Sequence, residues 1–121
     1  MTPAKGRVFL IHWNPSEAEE HAQRLCEAGW QVEIEAEDGA RAGNAIKADP
    51  PQVVVIYLSR LPSHGRETAH YLRSTIATRS IPIVFVDGKG KALEKTRTRI
   101  PDAIYTTSEK LNSVLQKFTR V

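Results

Sequence analysis

Short apolar runs alternate along this chain with segments in which apolar residues recur every three or four positions. The runs are typical of buried β-strands, and the second pattern is typical of helices packed on a sheet. The predicted strands are 8–11, 32–36, 52–58, 81–86 and 103–105. The predicted helices run from Ser16 to Gly29, from Gly39 to the residue before Asp49, over about 66–77, over about 90–98, and from Ser108 onward.

The five strand–helix pairs predict an α/β protein with a parallel sheet. The third strand, 52–58, is apolar throughout and is expected to be buried on both faces. In the second strand, Val32 and Ile34 alternate with Glu33 and Glu35, which predicts a half-exposed edge strand. With right-handed crossovers, the pattern favours a flavodoxin-like (βα)5 three-layer sandwich with strand order 2-1-3-4-5. Ligands of such folds bind at the carboxyl ends of the central strands.

Several local features carry their own expectations. Ser16 and Glu19 have the spacing of a capping box, and Cys26 falls on the apolar side of the same helix, where a buried thiol is expected. Ser108 is expected to cap the last helix. The predicted packing residues of the third helix are Ala69, Tyr71, Leu72 and Ile76, and those of the last helix are Leu111, Val114, Leu115 and Phe118.

Length and composition predict one globular domain over residues 1–121. The apolar runs are far shorter than the roughly 20 residues that cross a bilayer, so a cytoplasmic protein without a membrane contact is expected. The single cysteine excludes an internal disulfide and a cysteine-based zinc site. The four histidines lack metal-ligand spacing, so neither a metal nor another cofactor is predicted.

The charge is distributed unevenly. Residues 1–58 carry a net charge of −4 and residues 59–121 a net charge of +7. The excess is highest at 89–99, where one acid, Glu94, accompanies five basic residues: Lys89, Lys91, Lys95, Arg97 and Arg99. Such a segment can dock an acidic protein surface, hold nucleic-acid phosphates, or be a solvated helix face. Since no recognition helix or interleaved aromatic residue accompanies it, protein docking is the favoured interpretation.

The order and spacing of several motifs resemble receiver domains of two-component signalling over nearly the whole chain. Gly65 falls eight residues after Tyr57, as the family's glycine falls after the aspartate that accepts the phosphoryl group. Tyr105 falls where many receivers carry a switch aromatic. Two further segments that match the family are Ala36-Glu37-Asp38-Gly39 and Ile81-Pro82-Ile83-Val84.

The positions that carry chemistry in receivers differ in this chain. His12 and Trp13 stand where the family has two acids that bind Mg²⁺, a cation that prefers oxygen ligands. Tyr57 replaces the acceptor aspartate, and Asp87 replaces a serine or threonine. The family's lysine falls at Ser108, and Lys110 is two residues away, inside the predicted helix. The resemblance therefore implies a degenerate pseudo-receiver that is not phosphorylated by the Mg²⁺ route.

The side chains at these positions also have plain structural interpretations. His12 and Trp13 can form the lip of a small-molecule pocket or can simply fill the space of the missing acids. Tyr57 is expected to be a half-buried side chain at the end of its strand. His12 with Asp87 could suggest acid–base chemistry, but no nucleophile or oxyanion arrangement accompanies them, so catalysis is not predicted.

The sequence thus predicts a pseudo-receiver that signals through protein contacts. The predicted partner is another protein or a second copy of the chain, bound through the face formed by 89–121. The side chains expected on that face are Lys91, Lys95, Arg97, Arg99 and Tyr105. The alternative is a divergent flavodoxin-like domain that binds a small ligand or nucleic acid at the carboxyl ends of the strands.

Overall fold

Strands and helices alternate along the whole of residues 5–119, the part of the chain that the computed structural model describes. The strands are β1 Arg7–Ile11, β2 Gln31–Glu35, β3 Val53–Tyr57, β4 Ile83–Val86 and β5 Ile104–Thr106. The helices are α1 Pro15–Glu27, α2 Gly39–Ala48, α3 Pro62–Ser74, α4 Gly90–Arg99 and α5 Leu111–Leu115, with a 3₁₀ turn at Gln116–Phe118. Residues 1–4 and 120–121 of the predicted domain lie outside this range.

The strands form one parallel sheet in the order β2-β1-β3-β4-β5, which confirms the predicted flavodoxin-like arrangement. Each crossover between neighbouring parallel strands contains a helix, as short loops cannot make such a connection. Within residues 5–119, no helix combines the length and the apolar character that crossing a bilayer requires.

Helices cover both faces of the sheet and divide the core in two. Successive side chains of a strand point to opposite faces. One face packs against α1 and α5 in a cluster that includes Leu10, Val55 and Leu111. The other packs against α2, α3 and the end of α4 in a cluster that includes Phe9 and Leu72. All residues of β3 are buried, as predicted for the central strand, and the three-layer sandwich is confirmed.

β2 is an edge strand, as predicted, but the alternation gives the wrong burial at its end. Ile34 is 39% exposed, whereas Glu35 is only 7% exposed. The Glu35 carboxylate accepts the backbone N–H groups of Glu37 and Asp38 at 2.9 and 3.0 Å. It also accepts two hydrogen bonds of 2.6 and 2.8 Å from the Arg41 guanidinium. These four hydrogen bonds compensate the Glu35 carboxylate for the hydration that it loses on burial.

The predicted capping box of α1 is wrong. Asn14 is the N-cap, and its side-chain oxygen accepts the backbone N–H of Glu17 at 3.1 Å. Pro15 follows in the first helical position, where its missing N–H costs nothing. Because the helix begins there, Ser16 lies inside it and cannot cap it.

Cys26 is exposed, so the prediction of a buried thiol is also wrong. The buried face of α1 is formed by Ala18, Ala22 and Leu25, which are four and three residues apart. Cys26 follows Leu25 directly and therefore lies about 100° further around the helix, on its solvent side.

α3 begins about four residues before the predicted position. Pro62 stands in its first turn, where proline's fixed φ suits a helix, and the helix ends at Ser74. Ile76 therefore lies beyond the helix and is 80% exposed, so its predicted packing is wrong. Tyr71 is 42% exposed and packs on Gly43 of α2, not in the core. The correctly predicted packing residues are Ala69 and Leu72.

The last helix also begins later than predicted. Lys110, not Ser108, occupies the N-cap position of α5, so Lys110 lies outside the helix and the predicted Ser108 cap is wrong. Leu111 and Leu115 are buried, as predicted. Val114 and Phe118 are partly buried and pack against the same core cluster.

Candidate functional site

The residues that follow the strands meet along one edge of the sheet, the carboxyl edge. His12 and Trp13 follow β1 directly and turn to opposite faces, because side chains alternate along a strand. His12 turns toward α1 and contacts Tyr57, the last residue of β3. Trp13 turns toward α2 and α3 and packs against the second core cluster. The structure therefore separates Trp13 from His12, although the two are neighbours in sequence.

Three aromatic rings stack at this edge, on the side of α1. The ring centroids of His12 and Tyr57 are 4.9 Å apart, and those of His21 and Tyr57 are 4.3 Å apart. The His12 and His21 centroids are 5.5 Å apart, and all three interplanar angles are below 25°. This aromatic cluster of His12, His21 and Tyr57 fills the space next to the end of β3.

His12 is fully buried and is held in its neutral form. Its Nε2 lies 3.2 Å from a carboxylate oxygen of Glu17, but neither ring nitrogen makes a well-aligned hydrogen bond within residues 5–119. Burial lowers the pKa of His12, and the Glu17 carboxylate opposes this only in part. Burial also lowers the pKa of His21, and the nearby Arg24 adds to the effect. Both imidazoles are therefore uncharged at neutral pH.

Tyr57 is 1% exposed, so the expectation of a half-buried side chain is wrong. Burial raises the pKa of its phenol, and the negative charge of Asp87 raises it further. A phenol in this environment remains protonated, and its oxygen is a poor nucleophile without a base. The side chain acts as a core residue that closes the end of β3.

A charged pair crosses the edge above His12. The Arg60 guanidinium, from the loop between β3 and α3, donates hydrogen bonds of 2.6 and 3.2 Å to the two carboxylate oxygens of Glu17 on α1. This bond lowers the pKa of Glu17 and keeps the group ionised. Such two-pronged contacts have a defined geometry, although both side chains are partly exposed to water.

Asp87 and Ser108 form a clamp between the ends of β4 and β5. The Ser108 N–H donates to Asp87 Oδ1 at 2.9 Å, and the Ser108 hydroxyl donates to Asp87 Oδ2. The Asp87 N–H in turn donates to the carbonyl of Thr106 at 3.0 Å. Asp87 has a φ of +58°, a left-handed conformation that aspartate tolerates better than most residues. The Ser108 side chain is thus used here rather than as a helix cap.

A cavity of about 580 Å³ opens next to this clamp, along the carboxyl ends of β3, β4 and β5. Its polar lining combines the hydroxyls of Ser59 and Thr107 with the carboxylates of Asp87 and Glu109 and the amine of Lys89. The volume lies in the range of small-molecule sites. With two carboxylates and one amine, the lining carries a net charge of −1, which favours a neutral or cationic ligand over an anionic one.

The residues at the carboxyl edge do not fit a magnesium ion. Mg²⁺ demands oxygen ligands in a near-octahedral arrangement. The carboxyl ends of β1 and β3 hold the imidazole of His12, the indole of Trp13 and the buried phenol of Tyr57, none of which is a carboxylate. Both oxygens of Asp87 are bound by Ser108, and both oxygens of Glu17 by Arg60. Across the described residues, no three His, Cys, Asp or Glu side chains are grouped to hold a metal.

The predicted interaction face lies on α4 and β5. Lys91, Lys95 and Arg97 are exposed there, whereas Arg99 is bound to Glu67 of α3 at 2.6 Å. Tyr105 is only partly exposed, and its hydroxyl donates to the carbonyls of Thr96 and Ile100 at 3.0 and 2.7 Å. Its ring stacks on Phe85 and lies 5.1 Å from the Arg97 guanidinium.

Three residues of the carboxyl edge escaped the sequence analysis: Glu17, His21 and Arg60. The spacing of Glu17 and His21, one helical turn apart on α1, places them on the same face of the helix and could have indicated that they act together. Arg60 had no such signal, because its contact with Glu17 depends on the course of the β3–α3 loop.

The backbone is similar to those of solved response regulators. Chemotaxis protein CheY4 of Vibrio cholerae matches with a TM-score of 0.77 and 17% identity over 97% of this chain and 99% of that one. A LuxR-family two-component response regulator from Aurantimonas sp. SI85-9A1 matches with a TM-score of 0.75 and 21% identity over 94% and 84%. The N-terminal domain of a response regulator receiver protein from Methanoculleus marisnigri JR1 matches with a TM-score of 0.69 and 19% identity over 93% and 94%. No protein-family model and no curated protein matches the sequence.

Proposed function

We propose that this chain is a pseudo-receiver, a signalling domain that acts through protein contacts and not through phosphorylation. The observation that carries the proposal is the buried Tyr57, which stands where a receiver has its acceptor and stacks against His12 and His21. The likeness in fold to response regulators supports a role in signal transduction. The absence of a fit for Mg²⁺ at the carboxyl edge supports independence from phosphoryl transfer.

The α4–β5 face supports a docking role through its charge and its shape. Lys91 and Lys95 project from exposed positions of α4. A groove of about 230 Å³ lies between α4 and β5, and its lining includes apolar atoms of Leu93 and the basic side chains of Arg97 and Lys110. This combination suits an acidic protein surface that inserts one apolar side chain into the groove.

A second copy of the chain also offers an acidic surface to which the basic face can bind. Residues 1–58 carry a net charge of −4, while residues 59–121 carry +7, so the two halves of the sequence attract each other between copies. Such complementary charges speed encounter and select orientation more than they increase affinity. The proposal therefore includes self-association through the basic face as well as docking on another protein.

Charge reversal on the basic face tests the proposal. The variant Lys91→Glu/Lys95→Glu/Arg97→Glu should weaken self-association, measured by sedimentation, or retention of a partner, measured by pull-down. The melting temperature should fall only slightly, because the lost Arg97–Tyr105 contact is worth about 0.5–1 kcal/mol at an exposed site. Acetyl phosphate with Mg²⁺ should change neither the intact mass nor the association of the parent.

A matched control reverses three exposed basic residues elsewhere: Arg24→Glu/Lys47→Glu/Arg79→Glu. This control has the same net charge as the test variant and should not weaken association, because none of its three residues lies on the basic face and two of them only make the acidic half of the chain more acidic. Equal loss in both variants would show an effect of net charge alone. Unchanged association of the folded test variant, or an acyl phosphate on the treated parent, would contradict the proposal.

The cavity at the ends of β3, β4 and β5 favours one alternative function, the binding of a small neutral or cationic ligand. Its volume of about 580 Å³ and its hydroxyl and carboxylate lining are the supporting observations. A ligand there would contact Asp87, so Asp87→Asn should alter its affinity, whereas reversal of the basic face should not.

A further inference from the structure

Another pocket lies between α2 and α3, on the face of the sheet toward which Trp13 turns. Its volume is about 650 Å³, within the usual range for sites that hold a small molecule. The aromatic rings of Trp13 and Tyr71 supply much of its apolar lining. Carboxylates of Glu37, Asp38 and Glu67 supply its acidic rim. None of these residues belongs to the basic face of α4 and β5.

Two glycines on α2, Gly39 in the lining of the pocket and Gly43 one turn further along, allow α3 to approach closely. A Cβ atom on Gly39 would lie 2.7 Å from Thr68 Oγ1 and 3.7 Å from the Trp13 ring. A Cβ atom on Gly43 would lie 2.7 Å from the Tyr71 ring. α2 and α3 thus approach closely at two positions that are one helical turn apart, and the Tyr71 ring lies against Gly43. The Tyr71 ring therefore rests against the α2 backbone at Gly43 and is positioned by it.

The Trp13 ring is itself held in place. The Trp13 and His64 rings pack nearly perpendicular to each other, with a centroid distance of 5.5 Å and an interplanar angle of 83°. Its indole nitrogen is enclosed and has no hydrogen-bond partner within residues 5–119. Tyr71, by contrast, is 42% exposed, so one aromatic wall is fixed and the other remains accessible.

The charge at the rim favours a cation. Glu35, Glu37 and Asp38 are accompanied by one guanidinium, that of Arg41, which leaves a net charge of −2 at the start of α2. Arg41 is bound to Glu35 at 2.6 Å and lies 4.0 Å from Glu37. Glu67 is bound to Arg99, so the excess charge lies at the Glu37 and Asp38 end of the pocket.

The same end offers little to an anion. The free backbone N–H groups at the start of a helix often hold phosphate or carboxylate groups. In α2, Asp38 already accepts the N–H groups of Ala40 and Arg41 at 2.9 and 3.1 Å. An incoming anion would have to displace this carboxylate and would also face the charge of Glu37.

We propose that this pocket binds a small organic cation that consists of an aromatic ring and a positively charged nitrogen. The ring packs between Trp13 and Tyr71, and the nitrogen lies at the Glu37 and Asp38 end. Aromatic walls favour packing of an aromatic ring, and carboxylates attract a positively charged nitrogen, so the two parts of such a cation match the two ends of the pocket. This site is independent of the proposed pseudo-receiver function and can be tested separately.

Titration with phenethylamine, followed in ¹H–¹⁵N spectra, tests the site. The indole N–H signal of Trp13 should shift to saturation, whereas that of the buried Trp30 should not move. Phenethylamine should bind about tenfold more tightly than its neutral analogue 2-phenylethanol or its anionic analogue phenylacetate, a ratio that one favourable charge contact can supply. No saturable shift, or equal binding of the three compounds, overturns the proposal.

Variants with a preserved fold locate the binding. Glu37→Gln/Asp38→Asn should weaken phenethylamine binding about tenfold, and asparagine still caps a helix well. Glu19→Gln/Glu20→Gln removes the same charge from exposed positions of α1 and should bind like the parent. Tyr71→Leu should weaken binding, while Tyr71→Phe should retain it. Equal affinity in the parent and the Glu37→Gln/Asp38→Asn variant also overturns the proposal.

Discussion

Removal of the buried charge at Glu35 should destabilise the protein, although the residue lies on an edge strand. Its carboxylate accepts the backbone N–H groups of Glu37 and Asp38 and pairs with Arg41. The substitution Glu35→Gln keeps the size of the side chain and one acceptor oxygen. What it removes is the charge that the Arg41 guanidinium and the two N–H groups stabilise.

The size of the effect follows from the pKa of Glu35. The Arg41 hydrogen bond, followed by the two backbone N–H groups, lowers this pKa from 4.5 to about 2 against the opposing effect of burial. At about 1.4 kcal/mol per pKa unit, the shift corresponds to about 3 kcal/mol of stability. Because the Arg41 side chain is 62% exposed, water screens part of this interaction. We therefore expect Glu35→Gln to cost about 2 kcal/mol.

Urea unfolding at neutral pH measures this cost, and Glu33→Gln provides the control. Glu33 lies two residues away on the same strand and pairs with Arg7 at 3.3 Å, but its side chain is 57% exposed. Its replacement should cost less than about 0.5 kcal/mol, as is usual for an exposed pair. The comparison distinguishes the stability that a buried, fully hydrogen-bonded carboxylate contributes from the stability that a surface carboxylate on the same strand contributes.

The pH dependence gives an independent check. Since the folded pKa is lowered, this stabilisation is fully present above pH 4.5 and is lost as the pH falls toward about 2. The parent and Glu35→Gln should therefore become more alike in stability over that interval. A Glu35→Gln variant as stable as Glu33→Gln at neutral pH, with no such convergence, would refute the reasoning.

Three further outcomes are expected. Trp13→Asp should lose about 1–3 kcal/mol in thermal or urea unfolding, because it places a charge where a packed ring now lies; an unchanged melting temperature would contradict the packing of Trp13. Burial lowers the pKa of His12; Glu17 and Asp87 oppose this effect, and His21 and Arg60 add to it. Because the folded pKa is lowered from 6.5, the stability of the parent should decrease as the pH falls below 6.5. The loss of stability below pH 6.5 should be smaller in His12→Phe than in the parent. An equal loss in both proteins would show that groups other than His12 cause it. Tyr57→Asp should remain unmodified by acetyl phosphate and Mg²⁺ in intact-mass measurements, because His12 and Trp13 supply no carboxylate that could hold the metal beside the new aspartate. An acyl phosphate on this variant would contradict the proposed independence from phosphorylation.

Much of the fold could be predicted because its signals are local. The apolar run of β3 and the alternation in β2 identified a central strand and an edge strand, and crossover rules then left few strand orders. Errors arose where a local signal had a competitor. The third helix is predicted over about 66–77 although Pro62 begins it, and Ser16 is predicted as a cap although Asn14 takes that role.

The carboxyl edge was predicted as a set of positions but not as a set of contacts. The spacing identified His12, Tyr57, Asp87 and Ser108, and the structure brings these residues to one region. The sequence spacing could not show that Ser108 donates to Asp87, because this hydrogen bond joins residues that are 21 positions apart and depends on the loop after β5. The stacking of His21 on Tyr57 likewise depends on how α1 lies over the sheet.

The sequence by itself determined the alternation of strands and helices, the position of β3 at the centre, and the identity of the residues at the carboxyl edge, among them His12, Trp13 and Tyr57. These properties follow from residue identity and spacing, which do not depend on distant partners. Only the tertiary structure decided that Glu35 is buried, that Cys26 is exposed, and that Trp13 and Tyr71 line a pocket. Burial and pocket shape depend on which elements come together, and that is set by packing across the whole chain.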